Sequence, residues 1–318
     1  MKPDISIIIP FLNEEESIPS LVLSLNSYFS DFGPTVEVVF VDDGSTDNSV
    51  ALLKSATHTS YSCKIVKLSR NYGSLPALNA GILHASGDIT SFLYADLQDP
   101  IELIGRLYEK YIEGNEIVWA CRNFAKGDSR FFSKLYAKLM RKYAIPNFPE
   151  NGFDVVMFSE SVKNELNANI ESNSSIFLQI LNFGFRQDYI FYDKVDRKAG
   201  VSKWTFAQKF KLVVDSFVAF SYAPVRFVTV MGIIFSAIGF LWMLFIVGYT
   251  LLVGGLPLGL PATISVLLMG FGITNISLGV IAEYLWRTLD ASRRRKPFIV
   301  NEVIDLTEAI EAHTAQSQ

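Results

Sequence analysis

A long run without charged residues lies near the C-terminus. Between residues 227 and 282 there is no Asp, Glu, Lys or Arg, and a Gly/Pro-rich stretch at 254–261 divides the run. Each part, about 227–253 and 262–284, can supply the roughly 20 apolar helical residues that cross a hydrocarbon layer. The pattern predicts a transmembrane hairpin of two helices. The alternative, two buried core helices, would need a larger protein body around them.

The chain before this run alternates short apolar segments with helical patterns. Apolar residues between Ile18 and Phe29 recur at helical spacing. Five β-branched segments predict strands, at 5–9, 36–41, 65–68, 89–94 and 117–121. This alternation predicts a Rossmann-like, mostly parallel α/β sheet with helices on both faces, which binds ligands at the carboxyl ends of its strands.

Composition narrows the functional classes. Of the 318 residues 50% are hydrophobic, at the upper end for a soluble protein, and the net charge of −4 argues against nucleic-acid binding. Cys63 and Cys121 are lone cysteines, and the three histidines complete no zinc-ligand spacing. We expect both cysteines to be packing residues.

Charges flanking the apolar run predict its orientation. Arg226 precedes the run, Arg287 and a basic cluster at 293–296 follow it, and the intervening loop is uncharged. The chain enters its first strand within a few residues of Met1, so we expect no cleavable signal peptide. These features predict a multi-pass protein of the inner cell membrane, with the α/β domain and both termini in the cytoplasm.

Polar residues cluster where the predicted strands end. Neither a Gly-x-Gly-x-x-Gly turn nor a P-loop is present, so the usual nucleotide motifs do not apply. Carboxylates at a sheet edge can bind a base and ribose and can hold a divalent cation. Asp96 and Gln98 alternate after a strand and are the natural metal candidates, although acidic turns are more often solvated or capping.

Five motifs, taken in order, resemble those of family-2 glycosyltransferases. They are SIIIPFLNEE at 6–15, VDDGSTD at 41–47, RNYG at 70–73, ADLQDP at 95–100 and GVSKW at 200–204. The likeness is to the branch containing dolichyl-phosphate mannose synthase and bactoprenol glucosyltransferase, and it extends through the apolar run to KPFIV at 296–300. It implies a GT-A fold and transfer of a sugar from a nucleotide-sugar to a polyprenyl phosphate.

The resemblance assigns roles to residues at the strand ends. Asp96 and Gln98 would ligate Mg²⁺ or Mn²⁺ on the donor diphosphate, and Asp42 would support the turn that carries Asp43. The implied donor-binding set is Pro10, Leu12, Asn13, Glu14, Asp42, Asp43, Asn71 and Gly73.

Two positions depart from the family pattern. Tyr94 stands where the family usually has the first Asp of an Asp-x-Asp motif, whereas the second Asp and the Gln are present as Asp96 and Gln98. The segment 152–156 retains Asp154 but has Val156 where the bactoprenol branch commonly has Arg. This second change indicates a different sugar or acceptor preference.

Cations matter more than a base for the predicted reaction. A phosphate monoester is largely ionised near neutral pH and can attack without a strong base, but its approach to a diphosphate requires positive charge. The candidates for binding the acceptor phosphate are Arg122, Arg130, Ser133, Arg197 and Lys203. Asp96, Arg122, Asp154 and Lys203 form the predicted catalytic set, in which Asp154 binds a sugar hydroxyl or acts electrostatically.

Four regions follow from these patterns. We predict a catalytic domain at 1–204, an amphipathic juxtamembrane helix at 205–226, two membrane helices within 227–286 and a cytoplasmic tail at 287–318. A second basic amphipathic helix at 130–143 either lies in the headgroup layer or packs on its own domain with a solvated face.

Two other functions fit parts of the pattern. A processive polysaccharide synthase would share the fold, but its Gln-x-x-Arg-Trp motif is absent from the sequence. A membrane-tethered nucleotide-sugar-binding protein without activity is the other, suggested by Tyr94. The sugar, base, polyprenol and oligomeric state stay open, and a homo-oligomer is compatible with the sequence.

The predicted hairpin makes its loop the only segment outside the cell. A cysteine at Gly259 should therefore react with an impermeant thiol reagent added to intact cells, whereas a cysteine at Ser317 should not. Labelling of the Ser317 variant with protection of the Gly259 variant would reverse the orientation.

Overall fold

The computed structural model describes residues 2–123, 131–149, 152–171, 174–193, 216, 218–221, 223–253, 260–293 and 295–306. The strands are β1 (Ile5–Phe11), β2 (Val36–Asp42), β3 (Ser62–Leu68), β4 (Ile89–Phe92), β5 (Ile117–Arg122), β6 (Val155–Ser159), β7 (Gln187–Tyr192) and β8 (Val300–Asp305). The helices are α1 (Ile18–Phe29), α2 (Ser49–Ser55), α3 (Ser74–His84), α4 (Leu103–Ile112), α5 (Phe131–Tyr143), α6 (Glu160–Ala168), α7 (Ile176–Asn182), α8 (Ala223–Val253) and α9 (Leu260–Arg293).

The eight strands of the described residues form one mixed sheet in the order β7-β5-β6-β4-β1-β2-β3-β8. The strands β4, β1, β2 and β3 run parallel, β5 is parallel to β7, and β6 and β8 are antiparallel to their neighbours. The chain runs outward from β1 through β2 and β3, and then returns to place β4 on the other side of β1. Such a switch opens a crevice at the carboxyl ends of the strands. The predicted mostly parallel sheet is confirmed.

Two hydrophobic layers cover the sheet. Ile7 and Ile9 of β1 belong to the layer that includes α1 and α4, whereas Ile8 belongs to the layer that includes α3, α6 and α7. Because successive strand residues point to opposite faces, a strand covered on both sides is apolar throughout. This explains why the sequence of β1 shows no polar alternation.

The segment that follows the apolar helices returns to the sheet. Predicted simply as a cytoplasmic tail at 287–318, it supplies β8, which pairs with β3 between Lys64↔Asp305 and Leu68↔Val300. Phe298, just before β8, is 6% exposed and lies in the core layer with α3. The catalytic sheet is therefore completed by residues that come after the apolar helices.

The two long apolar helices expose their side chains. Within the described residues, Ala223–Trp242 in α8 is the one stretch long and apolar enough to cross a membrane, with a mean hydropathy of 1.9 and none of it buried. Residues 260–293 also form a helix, with Phe271 67% and Ile276 63% exposed. The predicted second span is not shown by this criterion, although the helix that would form it is present.

A hydrogen-bonded junction joins these helices to the catalytic domain. Ser221 Oγ donates to the carbonyl oxygen of Tyr143 at the end of α5 and accepts from Ala223 N at 3.0 Å. The Tyr284 hydroxyl of α9 donates to Ser221 O at 2.9 Å. One residue thus links α5, the start of α8 and the C-terminal third of α9.

The helix predicted at 130–143 is observed as α5 and is amphipathic. Ala137 and Met140 are buried against the domain, whereas Lys134, Lys138 and Lys142 are exposed. This pattern leaves both predicted locations of the basic face open. The juxtamembrane helix predicted at 205–226 lies mostly outside the described residues.

A buried carboxylate, Glu37 of β2, organises the end of the sheet opposite the crevice. Its Oε2 accepts hydrogen bonds from Ser6 Oγ (2.6 Å) and Ser86 N (2.9 Å), and its Oε1 accepts from Ser86 Oγ (2.6 Å) and Lys64 Nζ (2.9 Å). Burial opposes ionisation, but the four donors outweigh it and hold the pKa of Glu37 below its ordinary value.

We predict that Glu37→Gln destabilises the protein by roughly 1–3 kcal/mol near neutral pH, because an amide nitrogen would face other donors. The folded-state pKa is lowered, so the carboxylate stabilises the protein above the ordinary Glu pKa of 4.5. This contribution is lost as pH falls through the folded-state pKa.

The difference in thermal midpoint between wild type and variant should therefore shrink on acidification. The control is Glu302→Gln, which alters an exposed ion pair with Lys67 on β8. A difference that stays constant from neutral to acidic pH would contradict this assignment.

Candidate active site

The loops after β1 and β2 are joined at the carboxyl edge of the sheet. Asn13 has a φ of 53°, and its Oδ1 accepts a hydrogen bond from Thr46 N at 2.8 Å. Asn13 N donates to Ser45 Oγ at 3.0 Å, and Glu14 N donates to Ser49 Oγ at 2.9 Å. The first two motifs therefore form one surface. Asn13 and Glu14, both predicted to bind the donor, lie on it.

The two aspartates after β2 have different partners. Asp42 Oδ1 accepts from Ser45 N at 2.7 Å, which closes the turn within its own loop. Asp43 accepts from Tyr72 N at 2.7 Å and from Gly73 N at 2.8 Å, in the loop after β3. Burial raises the pKa of the Asp43 carboxyl above its ordinary value, against the effect of these two amides. Asp43 thus joins the second motif to the third.

Gly44 is required by the close approach of these loops. Its φ is 80°, and a Cβ atom there would lie 2.6 Å from the carbonyl carbon of Arg70 and 2.7 Å from Asn71 N. Backbone atoms cannot give way at such distances, so no larger residue fits. This packing places Asn71 and Gly73, both predicted to line the donor site, beside Asp43.

The proposed metal ligands lie in a turn. The strand predicted at 89–94 ends at Phe92, so Asp96 and Gln98 do not alternate along an extended segment as expected. Leu97 between them has a φ of 54°, and Gln98 N donates to Asp96 Oδ1 at 3.3 Å. The turn folds Gln98 back toward Asp96, which keeps both residues beside the crevice.

A network of charged and phenolic groups lies next to this turn. Asp154, just before β6, accepts from Arg122 Nε at 2.8 Å and forms a second contact with Arg122 Nη2. The Tyr192 hydroxyl at the end of β7 donates to Asp99 and lies 3.3 Å from Asp154 Oδ2. Arg122 and Asp154, both predicted in the catalytic set, are therefore brought together as an ion pair. Tyr192 was not predicted, and Asp99 was expected only as part of the acidic turn that begins at Asp96.

Tyr94 lies among carboxylates. Its desolvation, followed by the charges of Asp99, Asp154 and Asp96, raises the pKa of its phenol. Tyr94 is thus neutral at physiological pH. An aspartate at this position would add a fourth negative charge to the same region, so the departure from Asp-x-Asp reduces the local charge and leaves Asp96 in place.

The donor atoms present suit a hard cation. Carboxylate and amide oxygens are the ligands preferred by Mg²⁺, which usually takes only one or two protein carboxylates and completes its shell with water and substrate phosphate. Within the described ranges, no group of three His, Cys, Asp or Glu side chains is arranged to hold a metal. Asp96 and Gln98 supply one carboxylate and one amide oxygen, which are ligand types that such a cation takes.

The other predicted residues are distributed as follows. Pro10 is buried within β1 and Leu12 follows that strand, partly exposed. Ser133 lies in the first turn of α5. Arg130, Arg197 and Lys203 lie outside the described residues.

The sequence belongs to glycosyl transferase family 2, whose model matches residues 6–190. This span contains all strands from β2 to β6 and every site residue described above except Tyr192. The chain is therefore a glycosyltransferase.

Curated relatives match beyond that span. The bactoprenol glucosyl transferase of Shigella phage SfV is 33% identical over 303 residues, which cover 93% of this chain and 97% of the relative. A prophage bactoprenol glucosyl transferase homolog of Escherichia coli K12 is 31% identical, over 94% of this chain and 99% of the relative. These matches include the apolar helices.

Solved structures with a related fold are more distant. Glucosyl-3-phosphoglycerate synthase from Mycobacterium tuberculosis, in complex with Mn²⁺, uridine diphosphate and glucosyl-3-phosphoglycerate, has a TM-score of 0.49 and 20% identity over 68% of this chain and 79% of that one. At this TM-score the likeness adds nothing to the assignment of the site.

The Arg122–Asp154 pair should act as one unit. We predict that Arg122→Ala and Asp154→Asn each lower sugar transfer by about tenfold to a hundredfold through misplacement of the site, with measurable transfer retained. The double variant should transfer sugar as fast as the less active of the two single variants. Either single substitution already breaks the ion pair, so the second one removes nothing more.

A double-variant cycle on initial rates checks this prediction. Arg106→Ala is the control, since Arg106 donates to the Phe191 carbonyl from the outer face of the domain. Multiplicative losses in the double variant would show that the two residues act separately. Complete inactivity of Asp154→Asn with normal donor binding would instead make Asp154 a required base.

Proposed function

We propose that this protein is an inverting glycosyltransferase that moves a sugar from a UDP- or GDP-linked donor to a polyprenyl phosphate of the undecaprenyl or dolichyl type. The observation that carries the proposal is the extent of the likeness to the phage bactoprenol enzyme, 93% of this chain. A likeness confined to the sheet would support a shared donor only. One that includes the apolar helices supports a lipid acceptor.

The donor lies at the carboxyl edge of β1, β2 and β3. Its base and ribose occupy the surface formed by the loops of Asn13, Asp43 and Asn71, and its diphosphate reaches the turn of Asp96 and Gln98. A bound Mg²⁺ or Mn²⁺ supplies positive charge for the departing diphosphate. The protein contributes by fixing Asp96 and Gln98 on one turn before the donor binds.

The acceptor supplies its own nucleophile. With a second phosphate pKa around 6, the lipid phosphate is mostly a dianion at neutral pH and needs no strong protein base. Arg122 is already paired with Asp154, so its charge is partly offset. The proposal therefore assigns most of the acceptor-phosphate binding to Arg130, Arg197, Lys203 and Ser133.

Membrane attachment places the acceptor beside the donor. The apolar helices form a hairpin of two spans with both termini in the cytoplasm, and α5 lies with its lysines in the headgroup layer. Lysines near an anionic leaflet each contribute about 1 kcal/mol to attachment. The junction at Ser221 supports this arrangement, since it joins the end of α5 to the helices at one level.

Transfer of radiolabelled sugar tests the proposal. Purified protein should move label from one of a panel of UDP- and GDP-hexoses into undecaprenyl phosphate in detergent or vesicles. The control acceptor is undecaprenol, which has the same chain but lacks the phosphate and should receive no label. Label in undecaprenol, or in a growing polysaccharide, would contradict a phosphate acceptor.

Loss of the proposed metal ligands should slow this transfer. Asp96→Asn and Gln98→Ala are each expected to cost about 10²-fold or more, because the diphosphate would lose its neutralising cation. Tyr94→Asp should be tolerated or should tighten metal binding. Glu109→Gln, an exposed carboxylate of α4, is the control. Full activity of Asp96→Asn in the presence of chelator would remove the metal from the mechanism.

A further inference from the structure

The segment between α9 and β8 contacts the loop after β3. The carbonyl oxygen of Ile299 accepts a hydrogen bond from Ser69 N at 3.0 Å. The β3–β8 ladder has a register shift between Lys67 and Leu68, immediately before Ser69. The last residues before β8 therefore determine where the ladder ends and where the loop of Ser69 to Gly73 begins.

The Phe298 ring fills the core behind that loop. It is 6% exposed and belongs to the layer that contains Leu68, the last residue of β3, and Leu78 of α3. These two elements flank the loop on either side. Loss of the ring would leave a cavity in this layer, and cores close such cavities only partly.

The same loop carries the groups that hold Asp43. Tyr72 N and Gly73 N both donate to the Asp43 carboxylate. The Tyr72 hydroxyl lies 3.0 Å from Ser69 Oγ, and the Arg70 guanidinium stacks over the Tyr72 ring at 4.1 Å. A continuous chain of contacts thus runs from Ile299 through Ser69 and Tyr72 to Asp43.

From these contacts we infer that the segment 295–299 with β8 is a positioning element for the donor nucleotide, and that Phe298 is its main positioning residue. The element fixes the loop of Ser69 to Gly73 and thereby the carboxylate beside which the nucleotide binds. The element follows α9 in the chain and fixes the loop through its pairing with β3. The donor pocket is therefore ordered only when the chain after the apolar helices is packed on the sheet. The nature of the ligand rests on the proposed function; the ordering of the loop does not.

Hydrogen exchange of the full-length protein in vesicles tests the ordering without any ligand. Phe298→Ala should lower the protection of the Tyr72 and Gly73 amides by about tenfold or more, equivalent to a tenfold change in the opening equilibrium. Phe298→Leu should restore most of it. The control, Val303→Ala, removes an apolar side chain from β8 that is 43% exposed and should leave protection unchanged. Unchanged protection in Phe298→Ala, or equal loss in the control, would overturn the inference.

Nucleotide binding supplies the second measurement. UDP and GDP are titrated in parallel, and Phe298→Ala should weaken the one that binds by about tenfold while the KM for undecaprenyl phosphate stays near the wild-type value. Equal loss for donor and lipid would indicate general destabilisation and would overturn the positioning role. If the wild-type protein binds neither UDP nor GDP, the proposed function is contradicted. The hydrogen-exchange measurement would still decide whether the segment orders the loop.

A second variant covers the case in which Phe298→Ala does not fold. Tyr72→Phe removes only the hydroxyl contact with Ser69. The hydrogen bond from the backbone amide of residue 72 to Asp43 is kept. Lower exchange protection at Gly73 in this variant supports the chain of contacts. If Phe298→Ala is unfolded and the Gly73 amide of Tyr72→Phe is as protected as in wild type, the inference is overturned. Phe298 would then be a core residue without a positioning role.

Discussion

The Asp43 carboxylate holds two loops together, and the candidate site depends on this interaction. A buried carboxylate that accepts hydrogen bonds from two backbone amides forms strong, charge-assisted hydrogen bonds. Burial of the same carboxylate without partners would cost free energy. Gly44 permits the contact because only a residue without a Cβ can approach the Arg70 backbone so closely. Hydrogen bonds join the loops after β1, β2 and β3 into one surface without any ligand. Pre-organisation of this kind lowers the entropic cost of binding.

The second constraint is the chain's path through the apolar helices and back. The Ser221 junction lies on the way out of the catalytic domain, and the Phe298 segment lies on the way back. Both ends of the helical part are therefore fixed to the sheet domain at separate points, one at the end of α5 and the other along β3. A lipid acceptor held by the helices and a donor held by the sheet would then meet at a defined place. This is the physical reason to treat the apolar helices as part of the enzyme and not only as an anchor.

The sequence predicts the central sheet well because its strands are buried on both faces. Short runs rich in β-branched residues and bounded by turn residues, such as 5–9 and 36–41, favour buried strands, and their loops carry recognisable motifs. The edge strand β8 could not be predicted in this way, since its residues are mostly exposed and its partner β3 lies more than two hundred positions earlier. Tyr192 was missed for the same reason, because its contact with Asp99 spans 93 positions and leaves no local pattern. The turn at Asp96 to Gln98 depends on a positive φ at Leu97. Leucine rarely adopts this conformation, so the sequence does not predict the turn.

The central claim is that the carboxyl edge of β1, β2 and β3 binds the donor nucleotide and that Asp96 and Gln98 hold its metal. Diffraction from crystals grown with the bound nucleotide and Mn²⁺, recorded at a wavelength where manganese scatters anomalously, tests it most directly. The account predicts one anomalous peak within direct ligand distance of an Asp96 carboxylate oxygen and the Gln98 amide oxygen, with the diphosphate on its other side and the base beside Asp43. Nucleotide density away from this edge, or a metal peak without contact to Asp96, would contradict the account.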